Sequence, residues 1–241
     1  GREKGKELKD LTELALSGLL YYISLVINHL IEEGHFNKGL TQSLRICLGG
    51  KASTLYKIVF EDIEEQARLS QMINKVTGNI FESVAVEFTS VPKHEVAYGL
   101  LVDKEGSTEL FTDDKWQGTV LGEDVLIGKN KFGIVSELDP EKPWRVKDLF
   151  HLNKFLKNLK SISKIPVNLT KKFQGDLEGK INAALKDGQS KALDAKKDQQ
   201  SVEGDDSMEE LQKTSSILEP VFIQGLKEVI KEVTSGKLKL K

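Results

Sequence analysis

The stretch Leu44-Arg45-Ile46-Cys47-Leu48, followed by Gly49-Gly50-Lys51-Ala52-Ser53-Thr54-Leu55, decides the fold expected for this chain. Its apolar first half predicts a strand over 43–48 that is buried on both faces. The two glycines permit a sharp turn, and a helix is predicted over 53–74 with Gly78 as its stop. The inner face of that helix is predicted to carry Leu55, Ile58, Val59, Ile63, Ala67, Met72 and Ile73.

The flanking segments continue the alternation of helices and strands. A helix is predicted over 7–33, ending near Gly34, because apolar residues recur at three- to five-residue steps: Leu11, Leu14, Leu19, Tyr22, Val26 and Leu30. A second strand is predicted over 83–89, followed by a helix-like run over 93–101. Such an order predicts an α/β layer in which the two strands share one sheet and helices pack against it.

The rest of the chain divides by composition. Short apolar runs cut by glycines predict a β-rich insertion over 104–145, and helical spacing returns over 146–185 through Leu149, Leu152, Leu156 and Leu159. Charged residues dominate 186–214, which predicts a flexible linker, with a frayed helix over 183–195 as the alternative. A carboxy-terminal helix is predicted over 215–236, with Ser216 and Glu219 forming a capping box and Val221, Phe222, Leu226, Val229, Ile230 and Val233 on its apolar face.

Composition excludes several classes of protein. The 241 residues carry 35 Lys+Arg and 37 Asp+Glu, a net charge of -2 that gives no global reason to expect a nucleic acid or an anionic membrane as partner. The single cysteine, Cys47, cannot form an internal disulfide; it is interpreted as a buried small hydrophobe in a reducing, cytoplasmic compartment. The apolar run 14–31 is broken by polar residues, which favours a buried helix of a soluble protein over a membrane span.

The residues that could carry chemistry are few. The turn Gly49-Gly50 lets the main chain approach a flat or anionic ligand, and the next helix offers unpaired N–H groups. A packing turn without a ligand explains the same pattern, and neither a G-x-G-x-x-G nor a P-loop motif is present. His29 is interpreted as a core histidine. The other histidines lack metal-ligand spacing, and Asp113-Asp114 and Asp205-Asp206 are interpreted as solvated surface.

The order of elements over 7–103, with the turn Gly49-Gly50 and the later run containing Glu95, Ala97 and Gly99, resembles the last part of the second lobe of the actin-like ATPase superfamily. That superfamily includes actin, the seventy-kilodalton heat-shock chaperones and many sugar kinases. The resemblance implies a partial ribonuclease-H-like lobe carrying a β-rich insertion and a carboxy-terminal helix.

The resemblance also implies a function. Gly49 and Gly50 would form the turn against the nucleoside of ATP, lined by Lys51, Ala52 and Ser53; at about the place of Ser53 the chaperones often have an arginine. The superfamily's phosphate loops, which hold Mg²⁺ and the γ-phosphate, belong to segments that precede this one, and no Asp-Gly-Thr motif appears before residue 44. This segment is therefore expected to bind ATP without hydrolysing it alone, with an upstream lobe of a longer parent chain as its partner.

Two other functions remain open. A non-enzymatic interaction module would use the same scaffold and contact a protein partner through 104–145 or the last helix. A membrane-surface protein would use the helix 11–31 with the terminal lysines and would bind liposomes in a salt-dependent manner.

Overall fold

A computed structural model of the chain describes residues 2–32, 43–50, 52–88, 125–126, 144–146, 149–162, 171–199 and 220–238. Helices predominate in these ranges. The elements in chain order are α1 (Arg2–Glu32), β1 (Ser43–Leu48), α2 (Ala52–Val59), α3 (Ile63–Val76), β2 (Ser83–Phe88), β3 (Val125–Leu126), β4 (Arg145–Val146), α4 (Phe150–Ile162), α5 (Lys171–Gln199) and α6 (Val221–Thr234).

These elements fall into two compact units, and the boundary between the units lies inside α4. The first unit contains α1, β1, α2, α3 and β2. The second contains β3, β4, α4 up to Lys157, α5 and α6.

The first unit is built on a parallel pair of strands. β1 and β2 run side by side in register from Ser43↔Ser83 to Leu48↔Phe88, and α2 and α3 connect them. α3 packs against β2, and α1 packs against α2 and α3. The expected α/β class is therefore confirmed in its coarse form, as a mostly helical chain with a small parallel sheet.

The prediction that β1 is buried on both faces is wrong. Its residues alternate between exposed and half-buried, and Ser43, Arg45 and Cys47 are on the exposed side. Arg45 Nε lies 3.8 Å from Glu87 Oε1 of β2, which places an ion pair on this solvated face. The interpretation of Cys47 as a buried hydrophobe is also wrong. Side chains alternate between the two faces of a strand, and Cys47 lies on the exposed face with Arg45, whereas Leu44 and Leu48 lie on the half-buried face.

The single helix predicted over 53–74 is in fact two helices, α2 and α3. The break lies at residues 60–62, where Phe60 is buried and the carboxylate of Asp62 accepts a hydrogen bond from the Glu64 N–H at 3.0 Å. Asp62 is thus the N-cap of α3. Gly78, with φ +76°, follows the last turn of α3 as predicted.

This break changes which side chains are inside. Val59, Met72 and Ile73 are buried as predicted, whereas Ala67 is exposed and Leu55, Ile58 and Ile63 are 50%, 58% and 81% exposed. The prediction treated α2 and α3 as one continuous helix. It therefore placed the wrong side chains inside in α2 and at the start of α3.

α1 buries a different stripe from the one expected. Leu14 is buried as predicted, but Leu19 is 43% exposed. The buried positions of α1 are Glu13, Leu14, Ser17, Gly18, Leu20, Tyr21, Ser24, Leu25, His29 and Ile31, among the residues whose side chains are described. The predicted end at Gly34 lies outside the described residues. Within them, one helix, Gly5–His29, is long and apolar enough to cross a bilayer, a property that core helices of soluble proteins share.

The second unit packs α4, α5 and α6 together with a short β3–β4 antiparallel pair. Leu149, Leu152, Leu156 and Leu159 are all buried, which confirms the apolar face predicted for this segment, although the helix begins at Phe150 and Val146 belongs to β4. Asn182 of α5 holds β4, because its Oδ1 accepts a hydrogen bond from the Val146 N–H at 2.8 Å.

The linker predicted over 186–214 is wrong over 186–199, since α5 continues to Gln199. Leu177, Ile181 and Leu185 are buried along one side of α5 and anchor it. The charged residues Lys186, Asp187 and Lys191 of this part of α5 are exposed, and Lys191 Nζ pairs with Asp187 Oδ2 at 2.7 Å. Residues 200–214 lie outside the described ranges, as do most of 104–145 and the helix predicted over 93–101.

α6 has the predicted apolar face. Val221, Phe222, Leu226 and Val229 are buried, and the Phe222 ring meets that of Phe155 edge-on at 5.7 Å. Pro220 is the N-cap and makes no side-chain cap hydrogen bond; the capping-box residues 216 and 219 lie outside the described residues. An ion pair between Lys180 Nζ and Glu228 Oε2, at 2.6 Å, joins α5 to α6.

Gly225 sets the closeness of this packing. A Cβ added there would lie 2.7 Å from Leu152 Cδ2 and 3.8 Å from Ile181 Cδ1, so α4 and α5 both approach the bare main chain of α6. By contrast, a Cβ at Gly179 of α5 would have no neighbour within 4 Å.

We therefore expect Gly225→Ala and Gly179→Ala to act in opposite directions. The first should lower the free energy of unfolding by about 1 kcal/mol, because overpacking outweighs the gain in helix propensity. The second should raise it by about 0.5–1 kcal/mol, because only the propensity gain remains. Urea unfolding followed by tryptophan fluorescence measures both, and Trp144, buried in this unit, reports on it. Equal shifts for the two variants would contradict the close approach at Gly225.

Candidate functional site

The candidate site lies at the carboxyl edge of the parallel sheet. Leu48 and Phe88, the last residues of β1 and β2, are paired with each other, and Gly49-Gly50 follows directly after Leu48. In α/β sheets, ligands bind outside the carboxyl ends of the parallel strands. The turn is thus at the edge of the sheet where a ligand of this unit would be expected.

The main chain of the turn is open. Gly50 has φ +66°, a conformation that side chains rarely adopt, and a Cβ built at this position would meet no atom of the described residues within 4 Å. Gly49 is exposed. The positive φ at Gly50 therefore explains a glycine at that position, and no described residue packs closely against it.

Ser53 closes the turn from the helix side. Its hydroxyl donates to the Gly50 carbonyl at 2.8 Å, and its N–H donates to the same oxygen at 3.2 Å. The side chain is fully buried. Ser53 was predicted to line the ligand; its contacts in the structure are those of a residue that fixes the shape of the turn.

Of the other residues predicted for the site, the structure describes one and leaves the rest outside the described ranges. Ala52 is the first residue of α2, and Lys51 lies outside the described residues, as do Glu95, Ala97 and Gly99. The structure therefore brings Gly49, Gly50 and Ser53 together.

α2 presents two distinct faces beside the turn. Ser53, Tyr56 and Val59 are buried at helical spacing, and the Tyr56 hydroxyl donates to the Leu16 carbonyl of α1 at 3.3 Å. Burial raises the pKa of Tyr56 to about 12, so it stays protonated. The opposite face exposes Thr54, Leu55 and Ile58. Leu55 and Ile58 were predicted to lie on the inner face of the helix, and this prediction is wrong because both are on the exposed face of α2.

The electrostatics at the start of α2 favour an anion. The first turn of α2 contains no acidic side chain that would neutralise the positive end of the helix dipole. This alone does not define a site, because every uncapped helix start shares it.

The described residues hold no group of three or more His, Cys, Asp or Glu side chains that could bind a metal ion. His29 and His151 are both buried, as was predicted for His29. His35, His94 and the pairs Asp113-Asp114 and Asp205-Asp206 fall outside the described ranges.

Comparisons with known proteins add no relative: no protein-family model, no curated protein and no solved structure matches this chain.

The exposed position of Cys47, two residues before the turn, can be checked chemically. We expect the folded protein to react with one equivalent of 5,5′-dithiobis(2-nitrobenzoate) at a rate close to that of the urea-unfolded chain, because the thiol is on the solvated face of β1. The control is Cys47→Ser, which should not react. If the folded wild-type thiol reacts only after denaturant is added, this face of the sheet is covered.

Proposed function

We propose that this chain is a nucleotide-binding segment of a larger actin-like or chaperone-like ATPase, with ATP as its ligand and no hydrolytic activity of its own. The observation that carries the proposal is the open Gly49-Gly50 turn at the carboxyl end of a parallel strand. The resemblance of the element order over 7–103 supplies the identity of the ligand.

The physical basis is the absence of side chains at the turn. The purine base of a nucleoside is flat, and it can lie against main-chain atoms at van der Waals distance only where no Cβ intervenes. Ser53 holds the turn in this shape through its two hydrogen bonds to the Gly50 carbonyl. The start of α2, free of acidic side chains in its first turn, does not repel the phosphates of the same ligand.

The proposal also defines what this segment does not do. Hydrolysis needs groups that hold Mg²⁺ and the γ-phosphate and position a water molecule. The described residues contain no metal-binding group, so these functions are assigned to an upstream lobe of the parent chain. The segment would then form one wall of a cleft, and bound nucleotide would favour closure of two lobes.

A matched pair of glycines tests the turn. Gly50 and Gly78 have nearly the same backbone conformation, with φ +66° and +76°, but Gly78 follows α3 at the other end of the crossover. Asparagine tolerates this conformation better than a branched residue would. Gly50→Asn therefore places a side chain beside the turn with less backbone strain than a branched residue would cause, and Gly78→Asn introduces the same side chain at another positive-φ glycine.

We expect the full-length polypeptide carrying Gly50→Asn to bind a fluorescent ATP analogue with Mg²⁺ at least about ten-fold more weakly than wild type, a loss of about 1.4 kcal/mol. Gly78→Asn should leave the affinity within about two-fold, a change of about 0.4 kcal/mol. Far-UV circular dichroism of both variants checks that they fold. Equal affinities for Gly50→Asn and Gly78→Asn would refute the turn as the nucleoside site.

A second candidate function is a non-enzymatic protein-interaction module. The observation that favours it is the exposure of Leu55, Ile58 and Ile63, three large apolar side chains on α2 and the start of α3. In this alternative the last helix was expected to contact a protein partner, but the apolar face of α6 is buried within the second unit. Absence of saturable nucleotide binding by the wild-type protein would favour the module over the ATPase segment.

A further inference from the structure

A buried carboxyl group lies where α1 packs against α3. Glu13, on α1, is 4% exposed, and α1 packs against α3. Glu65, on α3, is close enough to interact with it electrostatically. One carboxylate oxygen of Glu65, Oε2, is itself buried and has no hydrogen-bond partner among the described residues. Two carboxyl groups thus lie on helices that pack against each other, α1 and α3, whose buried residues include Leu14 and Leu69.

The charges around Glu13 come from both helices. Asp10 and Lys9 belong to α1 itself, and Glu65 and Arg68 belong to α3. From α2, the polar group directed at α1 is the Tyr56 hydroxyl, which donates to the Leu16 carbonyl. Arg68 also reaches the exposed Glu64, with Nη2 3.4 Å from Oε2, so its charge does not serve Glu13 alone.

Burial first, and then the negative charges of Glu65 and Asp10, raise the pKa of Glu13 to about 7 from its ordinary 4.5, against smaller opposing effects of Lys9 and Arg68. A buried ionised carboxylate without partners is costly, and protonation removes that cost.

We propose that the α1–α3 contact is a proton-sensitive joint, which is held together while Glu13 carries its proton and is loosened when Glu13 and Glu65 are both negatively charged. The packing of α1 against α3 would therefore depend on pH near neutrality. α1 also packs against α2. This inference is independent of nucleotide binding at the turn.

The sign of the effect follows from linkage. Where Glu13 is buried it holds its proton up to about pH 7, whereas in the opened state it releases it near pH 4.5. The closed state binds more protons throughout that window, so the stability of the joint is full below pH 4.5 and is lost as the pH rises toward and through 7. For a single group with these two values, the opening constant rises about ten-fold between pH 6 and pH 8.

Hydrogen exchange of backbone amides in α1 tests this proposal. Exchange is measured by mass spectrometry from pH 5.5 to 8.5 and corrected for the intrinsic pH dependence of the chemistry. We expect the protection of α1 peptides in the wild-type protein to fall about ten-fold between pH 6 and pH 8. In Glu13→Gln this fall should disappear, since the amide is neutral at every pH, and protection at pH 8 should equal or exceed that of wild type.

Two further variants separate the joint from a general effect of charge. Glu65→Gln removes the opposing carboxylate, so the fall in protection should persist but move to lower pH. Glu64→Gln makes the same change at the neighbouring exposed residue of α3. It acts on Glu13 through Arg68, whose influence is smaller than that of Glu65, so it should shift the profile less than Glu65→Gln does. The proposal is overturned if Glu13→Gln retains the wild-type pH dependence, or if Glu64→Gln and Glu65→Gln shift it equally. If Glu13→Gln does not fold, the comparison of Glu65→Gln with Glu64→Gln decides alone.

Discussion

The parallel pairing of β1 with β2 is the constraint on which the first unit depends. Two parallel strands cannot be joined by a tight turn, so the chain between Leu48 and Ser83 must travel back along the sheet, and α2 and α3 accomplish that return. The register, Leu48 opposite Phe88, places both strand ends at one edge. The glycine turn lies at that edge because β1 ends there.

The polar groups of the first unit are arranged around this crossover. Asp62 caps α3 and makes the break that lets two short helices, instead of one long one, fit over the sheet. Tyr56 fastens α2 to α1 through the Leu16 carbonyl. Glu13 differs from these groups, because it is a buried carboxyl group on α1, the helix that packs against α3. A polar group in such a position destabilises the packing when it is charged, which is the property expected of a switch and not of a structural residue.

In the second unit the helices pack closely at a small residue, Gly225. Gly225 lets α6 approach α4 and α5, and Phe155 with Phe222 fills the remaining space. Its charges serve at the surface: Lys180 pairs with Glu228, and this pairing lowers the pKa of the Glu228 carboxyl. Because the Lys180 side chain is half exposed, that pair adds little to stability compared with the apolar contacts.

The sequence by itself determined the order of the main elements, the apolar face of α4 through Leu149, Leu152, Leu156 and Leu159, and the stop after α3 at Gly78. These features are local, since periodicity and a positive φ act within a few residues. Only the tertiary structure decided which side of β1 is solvated, that Ser53 turns back to the Gly50 carbonyl, and that the charged segment 186–199 is helix. Each of these features depends on which other parts of the chain pack against the segment. The local sequence pattern does not specify those tertiary contacts.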